Sequence, residues 1–182
     1  MIRIPTEVGT RLHLFLSPLE AEFLEDITVT EDYWKPGRRE GGYFKLNIKE
    51  LVEQSSFDDD LLPLAEVSER ALDELRRFTG VNELDGKWDA YLLFYPPGSE
   101  VVGHKDPAPE GMRHVRLNVI VRPAEDGGEL VVEPGDMSGT WHFFSAETVG
   151  EGVIFSPSTY RHKVREIAGS RVVLSFGCLV PA

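Results

Sequence analysis

Apolar residues at Leu64, Val67, Ala71, Leu72, Leu75 and Phe78 recur at intervals of three and four. That period predicts an amphipathic helix over 61–78, closed by Thr79-Gly80. A shorter helix is expected from Ser17-Pro18, because Ser is a good N-cap, Pro suits the first helical position, and Glu20 falls in the first turn. Leu19, Phe23 and Leu24 would form its apolar stripe. Ahead of it, alternation in Ile2-Arg3-Ile4 and Leu12-His13-Leu14 predicts one or two short strands within 1–16. Residues 33–42, YWKPGRREGG, read as a turn-rich loop, and a strand is expected over Tyr43 to Ile48.

From Trp88 the texture changes. Short apolar or alternating runs at 88–95, 115–121, 129–133, 152–155 and 171–180 are divided by Pro, Gly and acidic turns. Runs of this kind predict an all-β sandwich or small barrel. Helices first and strands after give a mostly β fold class, with N-terminal helices packed on one face of a double-stranded β-helix, the two-sheet jelly roll. No internal repeat or linker interrupts the chain. A single domain over 1–182 follows, with 1–87 supporting a jelly-roll core over 88–182.

Composition agrees with one packed domain, at 182 residues and 41% hydrophobic content. No apolar run reaches the roughly 18 residues that span a bilayer. The start, MIRIPTEVGT, lacks the apolar region of a signal peptide. The one cysteine, Cys178, excludes an internal disulfide and reads as a small buried hydrophobe in the last strand. A soluble cytoplasmic protein with no membrane partner is expected. Nineteen basic against 31 acidic residues leave a formal net charge of −12, which would repel a phosphate backbone over most of the surface. Nucleic acid is therefore disfavoured as a partner, and the Lys35 to Arg39 cluster reads as a solvated turn.

The chemistry lies in two stretches. In YPPGSEVVGHKD, His104 and Asp106 stand two residues apart, so that on a strand or its exit both side chains face one point. In RHKVREIAGSRVVLSFG, His162 supplies a second imidazole and Arg171 a guanidinium nine residues later. Two His and one carboxylate form the facial triad of non-haem iron(II) oxygenases, which leaves open positions for substrates and oxygen. An Arg beyond the metal can hold the far carboxylate of a keto acid through paired hydrogen bonds.

From Tyr91 to Val180 the chain resembles the 2-oxoglutarate and iron(II)-dependent oxygenase superfamily, and within it the prolyl-4-hydroxylase-like branch. The residues that carry the likeness come in order. Tyr95 and Gly98 precede His104 and Asp106, and the RLNVIV run opens at Arg116. Then come Gly127-Gly128-Glu129-Leu130, Gly152-Val153-Ile154-Phe155, His162, and Arg171 opening RVVLSFG. An H-x-D alone occurs by chance in many proteins, whereas the ordered set is specific.

The resemblance implies that His104, Asp106 and His162 ligate Fe(II), which 2-oxoglutarate chelates, with O2 as second cosubstrate and ascorbate as reductant. It implies that Arg171 pairs with the distal carboxylate of 2-oxoglutarate, with Tyr95 as a hydrogen-bond partner of the same group. Ser175 shares the strand face of Arg171 but lies four residues on, rather than the commoner two, and is a further candidate donor. Asn118 points inward if Arg116 does, and Arg116 either meets an acidic substrate or forms a salt bridge beneath the metal. His114 is placed to line the pocket, although no carboxylate stands two residues away. A loop over Pro134 to Phe144, carrying Trp141, is aromatic enough to be a lid near substrate, and His142 within it reads as a packing residue. Arg161 and Arg165 read as exposed or ion-paired, and Gly127-Gly128 as a hairpin turn with positive φ.

Three functions compete at this level. A hydroxylase of a small molecule or a peptidyl side chain is favoured. An alkylated nucleic-acid demethylase on the same fold is opposed by the acidic balance. A non-catalytic jelly-roll module binding a metal or partner is opposed by the presence of both His, the Asp and the Arg. In halogenating members of the superfamily a small residue replaces the carboxylate ligand, and chloride takes its place. Asp106 retains the carboxylate here. Product formed in chloride buffer is therefore expected to gain oxygen and no chlorine by mass spectrometry, and chlorinated product would refute this assignment.

Overall fold

A computed structural model describes residues 9–28, 35–36, 42–54, 62–84, 87–133, 142–144 and 148–182. Two sheets face each other. The larger is formed by β1 (Gly9–Leu12), β2 (Lys35–Pro36), β3 (Phe44–Asn47), β4 (Trp88–Tyr95), β6 (Met112–Arg122), β10 (Gly152–Phe155) and β13 (Arg171–Pro181), in the order β1-β10-β6-β13-β4-β3-β2. The smaller has the order β5-β11-β8-β9, from β5 (Val101–His104), β8 (Leu130–Glu133), β9 (His142–Phe144) and β11 (Arg161–Val164). A two-stranded ladder joins β7 (Asp126–Gly127) to β12 (Ile167–Ala168). The helices are α1 (Pro18–Thr28), α2 (Ile48–Gln54) and α3 (Leu62–Thr79). The double-stranded β-helix with N-terminal helices is thus observed, and among the described residues no helix is long and apolar enough to cross a membrane.

Strict alternation along the three central strands explains why the larger sheet separates two environments. Val115, Leu117, Val119 and Val121 of β6 pack with Ala90 and Leu92 of β4. Val172, Leu174, Phe176, Cys178 and Val180 of β13 join the same cluster, beneath Leu64, Val67, Ala71, Leu72 and Leu75 of α3. The intervening residues turn to the other face, where Tyr95, Ile120, Val153, Phe155 and Val173 meet Leu130, Val132 and Val164 of the smaller sheet. Because the side-chain period is two, a one-residue slip of any central strand would exchange the two sets.

The predicted helices are present. α3 buries Leu64, Val67, Ala71, Leu72 and Leu75 and partly buries Phe78, and Gly80 (φ 71°) closes it by donating its N–H to Arg76 O at 2.9 Å. α1 opens with a capping box, in which Ser17 N–H donates to Glu20 Oε2 (2.7 Å) and Glu20 N–H to Ser17 Oγ (3.3 Å). Cys178 is buried in β13. Several expectations need correction. Leu19 is 77% exposed, whereas Leu24 is buried and Phe23 partly buried as expected, joined by Ala21. The alternation at Leu12 to Leu14 does not extend β1, because Leu14 takes a positive φ of 55° and is exposed. Ile48 opens α2 rather than ending a strand, with Asn47 Oδ1 accepting from Glu50 N–H at 3.3 Å as its cap. Within the 33–42 loop, Lys35–Pro36 pairs with β3. Gly127-Gly128 has the expected positive φ but is no hairpin turn. It carries the chain from the β7–β12 ladder to the β8–β11 pairing. The Ile2-Arg3-Ile4 strand, most of the 33–42 loop, and residues 134–141 including Trp141 lie outside the described residues. The end of the aromatic stretch, His142–Phe144, pairs with β8 as a strand, so 134–144 is not wholly a loop.

Leu117 is fully buried between β6 and the helices. Leu117→Ala should cost about 2–5 kcal/mol in urea unfolding. A loss within about 0.5 kcal/mol would mean that this layer is not packed as described.

Candidate metal centre and its cavity

His104 is the last residue of β5, and Asp106 lies just beyond it, its N–H held by Pro157 O at 2.9 Å. His162 lies on β11, directly opposite His104 in the β5–β11 register. The two imidazole rings are 4.3 Å apart by centroid, and Phe155 packs edge-on to His162 at 5.3 Å. One ligand atom from each of His104, Asp106 and His162 lies within 4.8 Å of the others. The structure thus brings these three side chains together.

Backbone carbonyls orient the rings. His104 Nδ1 lies 2.7 Å from Val102 O, and His162 Nδ1 lies 3.5 Å from Tyr160 O. A carbonyl can only accept, so each Nδ1 carries its proton and each Nε2 offers a lone pair. His104 Nε2 faces Asp106 Oδ1 at 3.2 Å. Two acceptors at that distance require a positive charge between them, which a metal ion or an added proton supplies. Burial alone would raise the Asp106 carboxyl. Contacts with His104 and His114, with the electrostatic influence of His162 and Arg116, outweigh it and hold the group well below the usual carboxylate range. A carboxylate that stays ionised, beside two oriented imidazoles, is a donor set that fits a divalent first-row metal.

The trio opens on a cavity of about 370 Å³ between the sheets, whose larger-sheet wall includes Tyr43, Lys45, Asp89, Tyr91, Arg116 and Asn118. Register places these in ladders across the strands. Phe155, Arg116, Gly177 and Asp89 form one row, and Val153, Asn118, Ser175, Tyr91 and Asn47 form the next. Arg116 is engaged through both terminal nitrogens. Its Nη2 donates to Asp89 (2.9 and 3.3 Å) and its Nη1 to Ser175 Oγ (2.8 Å). Ser175 in turn donates to Asn118 Oδ1 at 2.6 Å. The salt-bridge reading of Arg116 therefore holds. Ser175, although it lines the cavity, is committed to Arg116 and Asn118.

At the other end Arg171 stands opposite Tyr95 in the β13–β4 register, its guanidinium carbon 5.8 Å from the ring centre. Tyr95 lines the cavity and packs against Tyr43 at 5.3 Å, whereas Arg171 sits beside Tyr95 and outside the cavity wall. Gly128 makes room for it, since a Cβ there would come within 3.1 Å of Arg171 Cδ. Burial lowers the pKa of the Arg171 guanidinium, partly offset by Tyr95 and Glu129. Among the described residues no hydrogen-bond acceptor is found for it. Arg161 and Arg165 are exposed and reach Glu133 (3.9 Å) and Glu129 (3.2 Å), as expected of them.

Two features escaped the sequence reading. His114 does have a carboxylate partner, Asp106 itself, with Nδ1 3.5 Å from Oδ2. Asp89, Tyr91 and Lys45 line the cavity. The first two were within reach, because 89, 91, 93 and 95 share one face of a strand.

No protein-family model matches the chain, and no curated protein matches it in sequence. Solved structures do match in fold. A prolyl-4-hydroxylase from Pseudomonas putida superposes with a TM-score of 0.71 at 20% identity, covering 97% of this chain and 94% of that one. A prolyl hydroxylase from Trichoplax adhaerens, in complex with a hypoxia inducible factor oxygen degradation domain peptide, gives 0.72 at 14% identity over 95% and 84%. The viral collagen prolyl hydroxylase of Paramecium Bursaria Chlorella virus-1, a 2-oxoglutarate complex, gives 0.61 at 15% identity over 96% of each. The double-stranded β-helix fold is thus shared with these three proteins, and the likeness in fold extends over nearly the whole chain.

Tyr95 is buried as the neutral phenol, its pKa pushed up to about 12 by desolvation. The unfolded chain ionises this group near pH 10. The folded protein should accordingly lose stability as pH rises from about 10 to about 12, by on the order of 2–3 kcal/mol. Urea melts of Tyr95→Phe should show a shallower fall over that window. A wild-type fall matched by the Phe variant would place the alkaline sensitivity elsewhere.

Proposed function

We propose that the chain is a 2-oxoglutarate- and iron(II)-dependent dioxygenase that hydroxylates an unactivated C–H bond of a small molecule or peptidyl side chain, releasing succinate and CO2. The observation that carries this reading is the convergence of His104, Asp106 and His162 at a cavity between the sheets. The shared fold supports it, as do a viral neighbour crystallised as a 2-oxoglutarate complex and a Trichoplax neighbour holding a peptide.

Iron(II) bound by the three side chains would supply oxygen activation, coupling decarboxylation of 2-oxoglutarate to insertion of an oxygen atom into a C–H bond. The protein's part is orientation and exclusion of water. Val102 and Tyr160 fix the two imidazoles. Arg171, buried and with no hydrogen-bond acceptor among the described residues, is the group that takes the distal carboxylate of the cosubstrate, with the Tyr95 hydroxyl as its neutral companion. O2 is the second cosubstrate, and ascorbate keeps the metal reduced in an assay.

Purified protein given iron(II), 2-oxoglutarate, ascorbate and a substrate library should form succinate only in the presence of oxygen, with a product heavier by one oxygen. Absence of succinate with every substrate class tested, from protein that binds iron, would refute the enzyme. Arg171→Ala should weaken 2-oxoglutarate binding roughly 10- to 100-fold, the worth of a charge-assisted hydrogen bond, while leaving metal affinity unchanged. Equal loss of both would mark Arg171 as structural.

A further inference from the structure

We propose that His114 is a positioning residue for Asp106, the inner end of a relay Asp106–His114–Arg116–Asp89 that holds one carboxylate oxygen away from the metal. The inference rests on the metal-site reading above and concerns how this chain aims its carboxylate ligand.

Donor and acceptor roles fix the relay's direction. Arg116 Nη2 lies 3.2 Å from His114 Nε2. A guanidinium has only donors, so Nε2 must be the acceptor. The neutral ring then carries its proton on Nδ1, the atom that faces Asp106 Oδ2 at 3.5 Å, the long end of hydrogen-bonding range. Oδ2 is thereby given a donor, and Oδ1 remains for a metal. That division matters chemically. A carboxylate bound through one oxygen leaves three positions of an octahedron open beside two imidazoles, enough for a bidentate keto acid and oxygen. Binding through both oxygens would remove one of them.

The relay is anchored at both ends. Arg116 cannot rotate freely, because Asp89 and Ser175 also accept from its two terminal nitrogens at 2.8–3.3 Å. The backbone of His114 is pinned from the turn that precedes the distal His. Its N–H donates to Ser158 Oγ and its carbonyl accepts from Ser156 Oγ, each at 2.8 Å. Pro157, between those serines, accepts the Asp106 N–H at 2.9 Å. One three-residue segment thus fixes the spacing of His114 and Asp106.

Gly177 supplies the space. A Cβ at that position would come within 2.7 Å of His114 Nε2, 2.8 Å of Arg116 Nη2 and 2.9 Å of Asp89 Oδ1. These are three members of the relay, met at once from the strand beneath them. Gly177 also has ordinary backbone geometry, so its lack of a side chain is a matter of room and not of φ.

The test uses Co(II), an oxygen-inert stand-in for Fe(II), titrated into the full chain and followed by its visible absorption. His114→Ala should weaken Co(II) about 10- to 100-fold and alter the absorption bands, with the melting temperature of the metal-free protein unchanged. His114→Asn, whose amide can donate from near the Nδ1 position, should restore most of the affinity. Gly177→Ala, which touches no ligand, should reproduce the loss. Wild-type affinity and bands in His114→Ala would overturn the relay. So would a loss that His114→Asn does not restore. Wild-type protein that fails to bind Co(II), or binds it as well after His162→Ala, would overturn the metal-site reading itself, a result distinguishable from the others.

Discussion

The site depends on the pairing of β13 with β6 on one side and β4 on the other. β13 is buried along almost its whole length, and it is paired with β4 in unbroken register and with β6 in unbroken register from Val173 to Pro181, after a shift at Val172/Val173. That register brings Gly177 between Arg116 and Asp89, and Ser175 between Asn118 and Tyr91. The apolar residues of the other face lock it. Sliding β13 by one residue would drive Ser175 and Arg171 into the layer against the helices, leaving buried polar groups unpaired there. Hydrophobic packing outside the barrel therefore sets the positions of polar groups inside it, at a distance and without touching them.

A second constraint is local. The three candidate ligands come from separate points of the chain, and the turn at Ser156-Pro157-Ser158 ties two of those points together. It holds the Asp106 backbone, it clamps both backbone groups of His114, and six residues past Ser156 the chain reaches His162. Sheet register alone would place His104 opposite His162 but would leave Asp106, which lies beyond the end of β5, without a fixed position. The turn supplies it.

Much of this was legible in the sequence, and the boundary of legibility has a physical cause. The strands β4, β6, β10 and β13 are long or fully apolar on one face, so their alternation is visible. β5, β7 and β11 are short and carry charged or glycine residues, β12 is only two residues long, and all four exist because a partner strand is present. His104, Asp106 and His162 stood out because the chemistry of metal binding restricts residue type and local spacing. The contact between His114 and Asp106 had no such signature. It joins residues eight apart across a loop, and only the turn at 156–158 brings them together. The same limit applied to Ser175. Sequence gave its face correctly, but its partners are set by cross-strand register, which pairs it with Asn118 and places Arg116 within reach.

The two arginines of the barrel interior show how partner geometry assigns roles that residue type cannot. Both are largely buried, but Arg116 lines the cavity whereas Arg171 lies beside Tyr95, outside its wall. Arg116 is neutralised by Asp89 and bonded to Ser175, so an anionic ligand approaching it would have to compete with a carboxylate already in place. Among the described residues Arg171 has the face of Tyr95 and the field of Glu129 but no hydrogen-bond acceptor. A buried guanidinium without a bonded anion carries an uncompensated desolvation penalty, which is relieved when a carboxylate arrives. The proposed cosubstrate has a carboxylate at each end. One is suited to chelation beside the His–Asp–His cluster, and the other to the Arg171 guanidinium beside Tyr95. The asymmetry between Arg116 and Arg171 therefore gives the proposed cosubstrate a direction. The Arg116 end of the cavity is left for the second substrate, whose approach Asp89, Tyr91 and Lys45 would meet first.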